Sequence, residues 1–120
     1  MKVIVNVSKS FKRQAKPLLK KFHSISKELL VLERELTENP YLGIPLGHNT
    51  YKIRLAIKSK NKGKSGGLRV ISYLDTEIIG WVDKEGELIR VNLISIYDKS
   101  ETAAISDKKL RDLIGSLQND

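Results

Sequence analysis

The chain has 120 residues and a formal net charge of +8, with 40% hydrophobic residues, 30% charged residues and no cysteine. This length suits a single domain over residues 1–120 with a modest core, and the composition excludes intrinsic disorder, a disulfide framework, thiolate catalysis and cysteine-ligated metal. No apolar run approaches the ~20 residues that span a bilayer, and the N-terminus lacks a signal-peptide pattern, so a soluble, cytoplasmic protein with no membrane partner is expected.

The opening residues Lys2–Val7 alternate apolar and polar side chains and predict a short strand ending at Ser8. Phe11, Ala15, Leu18, Leu19 and Phe22 then recur at helical spacing. Pro17 inside this run should kink the helix or sit in its first turn. A break at His23–Ser26 offers either serine as the next N-cap. Ile25, Leu29, Leu32 and Leu36 form the stripe of a second helix, which Asn39-Pro40 stops, so the two helices make a hairpin. Residues 40–50 are rich in Pro, Gly and Asn and read as a loop.

From Tyr51 the period changes to two, with Ile53, Leu55 and Ile57 facing one way and Lys52, Arg54 and Lys58 the other. Residues 60–67 form a basic, glycine-rich loop. A second strand region is expected from Leu68 to Trp81, a turn at Asp83–Gly86, and a third strand from Leu88 to Tyr97. The tail carries a helix signature: Ser106 as N-cap, Asp107 in the first turn, Ile105 with Leu110 as a staple, and a stripe of Leu110, Leu113, Ile114 and Leu117. The expected class is α+β in the order β-α-α-β-β-β-α, an antiparallel sheet with a helix hairpin on one face and a C-terminal helix.

Charge is unevenly spread. Residues 1–74 hold 16 Lys and Arg against 4 Asp and Glu, whereas residues 75–120 hold 6 against 10. Between 39 and 74 there are seven cations and no acid. Such one-sided charge repels itself unless an anionic partner uses it, and nucleic acid is the leading candidate. The alternative is a solvated basic face kept for solubility.

Searches for other chemistry find little. His23 and His48 have no second ligand at metal spacing, so no metal or cofactor is expected. The Ser65-Gly66-Gly67 stretch lacks the spacing of a phosphate-binding P-loop, and Glu33 and Glu35 face different directions on their helix. On the strands, parity gives a different picture. Arg69 shares its face with Ile71 and Tyr73, opposite Leu68, Val70 and Leu74. Ser95, Tyr97 and Lys99 share one parity and the core residues Ile94 and Ile96 the other. If the helix hairpin covers one face, Arg54, Lys58, Arg69, Tyr97 and Lys99 fall on an open second face or its rim, a cationic surface suited to single-stranded RNA. Trp81 reads as packing.

The strings Lys52-Ile53-Arg54-Leu55-Ala56, Gly63-Lys64-Ser65-Gly66-Gly67-Leu68-Arg69-Val70-Ile71-Ser72-Tyr73 and Ile96-Tyr97-Asp98-Lys99-Ser100-Glu101 resemble the RelE/ParE superfamily of toxins, most nearly its HigB-type members. The resemblance covers nearly the whole chain and implies the small RelE-like fold. It also implies the toxin of a type II toxin–antitoxin system: a metal-independent endoribonuclease that cuts mRNA on the ribosome by 2′-OH attack on the adjacent phosphate, held silent by a cognate antitoxin with a helix-turn-helix. Carried over by position, Arg54, Lys58, Arg69 and Lys99 become candidates for catalysis, and Lys52, Lys60, Lys62, Lys64 and Tyr97 for RNA binding. Clustered cations would stabilise the phosphorane, and Lys58 or Lys99 would move protons. Where several relatives carry a catalytic tyrosine this chain has Ile105, so that role is not transferred to Tyr97. The alternatives are a ParE-like poison of DNA gyrase and a noncatalytic RNA-binding member.

Overall fold

The computed structural model describes residues 2–57, 67–78, 86–99 and 104–117. Its elements are β1 (Lys2–Val7), α1 (Lys9–Lys21), α2 (Ile25–Glu38), β2 (Ile44–Gly47), β3 (Thr50–Leu55), β4 (Leu68–Ile78), β5 (Glu87–Asp98) and α3 (Asp107–Leu117). The strands form one five-stranded sheet in the order β1-β5-β4-β3-β2. The class is α+β, as the sequence implies. Among the described residues no helix is long and apolar enough to cross a membrane.

Ser8 separates the first two elements. Its hydroxyl accepts from the Phe11 N–H at 3.1 Å, supplying one of the partners that a helix N-terminus otherwise lacks. The expected apolar stripes then do the packing. Phe11, Ala15, Leu18 and Phe22 of the first stripe and Ile25, Leu32 and Leu36 of the second are buried against Ile53, Leu55, Val70, Leu74, Ile89, Val91 and Ile96. Pro17 lies inside α1 rather than in its first turn, on the exposed side, where the missing i→i−4 bond costs least.

Four expectations need correction. The 40–50 segment contains a strand: Ile44–Gly47 pairs antiparallel with β3. Pro45 and Gly47 disguised it, and both are tolerated because β2 is an edge strand with one side unpaired. The hairpin closes through His48 and Asn49, both at positive φ (54° and 61°), which matches the twist of the flanking strands. Second, the sheet is mixed, because β1 runs parallel to β5 in the register Lys2↔Leu88 to Val7↔Leu93. Third, the second face is not left open: Leu110 and Leu113 of α3 pack on Ile71 and Ile94 there. Fourth, Ile94 and Ile96 do not share a face. The β4–β5 register shifts between Ile71 and Ser72, and this bulge turns Ile94 toward α3 while Ile96 stays under the hairpin.

Ser72 is fully buried beside that bulge, and its hydroxyl has no hydrogen-bond partner among the described residues. Leaving a buried hydroxyl unpaired costs about 1–3 kcal/mol. Ser72→Ala should therefore stabilise the fold by about 1 kcal/mol. A higher urea midpoint at unchanged slope is the expected readout, and a lower midpoint would show the hydroxyl to be paired.

Candidate nucleic-acid interface

The two ladders of the central sheet bring three sequence-predicted residues into one row. Arg54 of β3 stands opposite Arg69 of β4, and Arg69 stands opposite Tyr97 of β5. Directly opposed residues on one sheet face have Cβ atoms ~4.5–5.5 Å apart, close enough for long side chains to converge on one ligand. The next row carries Lys52 opposite Ile71. Lys99 follows Tyr97 by two residues and is exposed at the end of β5.

The environments within the row differ. Arg54 is exposed and Lys52 half-buried. Arg69, expected on an open surface, is instead only 2% exposed. Its Nη1 donates to the carbonyls of Gly67 at 3.4 Å and Leu68 at 3.2 Å, which turns the guanidinium back toward the start of β4. Burying a guanidinium requires such partners, and those bonds fix its direction. Tyr97 is half-buried. Burial pushes its phenol above the ordinary value of 10.0, while Arg69 and a backbone hydrogen bond at Ile105 pull the other way. Ile105, where several members of the resembled family carry tyrosine, thus lies against the Tyr97 hydroxyl.

Two like charges directly opposite each other destabilise a sheet. Among the described residues no carboxylate pairs with Arg54, Lys52 or Lys99. The far end of the same ladder is built differently. There Asp75 stands opposite Arg90, which lies 3.7 Å from it and also bonds Glu77. Charge is neutralised pairwise at that end of β4, whereas at the other end two arginines stand opposite each other, and the exposed Arg54 suits an anion such as a phosphate.

Gly67 sets this geometry. A Cβ there would stand 2.2 Å from the backbone oxygen of Leu55, a contact no side chain makes. The glycine lets β4 start against the end of β3, which puts Arg69 level with Arg54. Lys58, Lys60, Lys62 and Lys64 lie outside the described residues, as do Trp81 and most of the Asp83–Gly86 turn. His23, Glu33 and Glu35 are exposed helix-end and helix-face residues.

Two contacts had no reading in the sequence. His48 Nε2 lies 2.9 Å from Asp107 Oδ1, joining the β2–β3 turn to the first turn of α3. Gln14 Oε1 accepts from Ser95 Oγ and from the Ile96 N–H, each at 3.0 Å. Gln14 did leave a signal, since it is a polar residue three after Phe11 and four before Leu18 on the apolar stripe of α1. Compared with known proteins, the chain matches no family model and no curated protein.

Gly67→Ala should destabilise the fold by about 1–3 kcal/mol, the range for forced overpacking, and weaken anion binding by displacing Arg69. Denaturation together with titration of a short oligophosphate tests both effects, and an unchanged midpoint would contradict the close approach. Tyr97 gives a second readout. Folding raises its pKa, so the native state holds that proton more tightly than the unfolded chain. Stability should be unaffected by this group well below pH 10 and fall as the pH rises past 10 through the folded value. Tyrosinate absorbance of the wild type minus that of Tyr97→Phe should show a midpoint above 10, and a midpoint at or below it would mean the phenol is not buried.

Proposed function

We propose that the protein is the toxin of a type II toxin–antitoxin pair, a ribosome-dependent endoribonuclease that inhibits translation by cutting mRNA. The observation that carries this reading is the in-register row Arg54–Arg69–Tyr97, two arginines held opposite each other with no described acid paired to Arg54. The resemblance of the Gly63–Tyr73 string to the RelE/ParE toxins gives the row its substrate. In the reaction, the ribose 2′-oxygen forms a bond to the adjacent phosphorus and the bond to the 5′-oxygen breaks. The 2′-hydroxyl proton passes to a base, and the leaving oxygen takes up a proton from an acid.

Arg54, exposed in the row, would act on the phosphate, whose non-bridging oxygens gain negative charge at the phosphorane, while Arg69, buried beside it, would add its charge to the local field. Lys99, at the same end of the sheet, is the group within the described residues that would move a proton. The partner proposed is an antitoxin with a helix-turn-helix, whose acidic segment would meet the basic row. Leu30, Val31 and Ile44 are 58%, 45% and 45% exposed on α2 and β2, an apolar surface that a protein partner would cover.

Expression of the chain alone should arrest bacterial growth, with mRNA cut on the ribosome. Arg54 is exposed, so Arg54→Ala should leave the circular dichroism spectrum unchanged and lower the cleavage rate by about 10²–10³-fold. Intact free and ribosome-bound RNA, with gyrase trapped on DNA, would sink the nuclease reading in favour of a ParE-like poison. RNA binding without cleavage would leave a noncatalytic member.

A further inference from the structure

Strand β1 accompanies β5 only as far as Leu93, where the Ser8 N–H donates to the Leu93 carbonyl at 3.1 Å and the chain turns into α1. From Ile94 to Asp98 that edge of β5 has no strand beside it among the described residues. Gln14 reaches across from α1 and caps the edge through its hydrogen bonds with Ser95 and Ile96. The Ile96 N–H can only donate, so the Gln14 atom facing it must be the amide oxygen. The amide NH2, with two donors, is left over. Among the described residues it makes no hydrogen bond. Capping a strand edge needs only an acceptor, which a glutamate would supply equally well. The amide therefore brings donors that the fold does not use.

Those donors belong to a side chain that lines a cleft of about 570 Å³ between α1 and the start of α3. Pro17, Leu18 and Ile105 form its apolar walls, and the exposed Lys109 lies on its rim. Tyr97 lines it too, and across the ladder Tyr97 stands opposite Arg69 of the arginine row. Clefts of roughly 300–1,000 Å³ with apolar walls and a few placed polar groups suit a flat ring of nucleobase size. Splayed single-stranded bases stack on aromatic side chains and are read at their polar edges.

We propose that this cleft receives the base of the nucleotide beside the phosphate at Arg54, and that Gln14 selects bases carrying a keto oxygen (uracil, guanine) over those carrying an amino group there (cytosine, adenine). The inference rests on the RNA reading above. A keto oxygen accepts from the Gln14 N–H, whereas an amino group sets donor against donor and leaves both unpaired on closing the cleft.

The test uses the purified full chain and uncleavable 2′-O-methyl hexamers of uridine and cytidine, repeated with inosine and adenosine. Each pair differs in keto against amino. The wild type should bind the keto member of each pair roughly 3–10-fold more tightly, the scale of one hydrogen bond. Gln14→Glu keeps the acceptor for Ser95 and Ile96 and removes the donors, so it should reverse the order of each pair. Arg54→Ala should weaken all four hexamers by the same factor, because it acts on the phosphate. Equal wild-type affinity within either pair overturns base selection by Gln14 and leaves the RNA reading standing. Binding to none of the four overturns both. The wild-type ratios decide the matter even if Gln14→Glu fails to fold.

Discussion

Strand β5 pairs with β4 along one edge and, over its first half, with β1 along the other, while α1 covers one of its faces and α3 the other. A strand closed in on so many sides buries most of its side chains, Leu88, Ile89, Val91, Leu93, Ile94 and Ile96 among them. The remaining elements are placed by what β5 demands. The hairpin of α1 and α2 closes one side, α3 closes the other, and the bulge at Ile94 distributes consecutive isoleucines between them. The arginine row lies where this strand leaves its covered stretch, with Tyr97 as the last half-buried group before the exposed Lys99.

Periodicity carried the helices and most of the strands because each has one buried face, and a buried face leaves its period in the sequence. Leu32 and Leu36 announce α2, and Ile53 with Leu55 announces β3. What stayed hidden depends on neighbours distant in sequence. Nothing near Lys2–Val7 says whether the strand beside it runs parallel. Nothing near Ile94 reveals that Ile71 and Ser72 will shift register against it. Pro45 and Gly47 obscured a strand whose unpaired edge tolerates both.

Within the site, parity correctly put Arg54, Arg69 and Tyr97 on one face, because the register from Leu68 to Ile71 has no bulge. It could not give exposure. Arg69 is only 2% exposed, on a face to which α3 returns where a simple two-layer arrangement would leave it bare. The same return makes α3 part of the site's surroundings, with Ile105 against Tyr97 and Asp107 against His48. Charge asymmetry along the chain, visible from composition, becomes a spatial asymmetry along β4, with paired charges at one end and like charges at the other.

The parallel pairing of β1 with β5 also has a temporal side. Lys2 is the partner of Leu88, so the first strand leaves the ribosome 86 residues ahead of the one it joins. At ~5–20 residues per second that is a wait of roughly 4–17 s, during which β1 lacks the strand it pairs with. Contacts so distant along the chain also fold slowly, since a long loop must close before any of its apolar surface is buried. The arginine row, which needs β3, β4 and β5 together, is assembled only once β5 has been made.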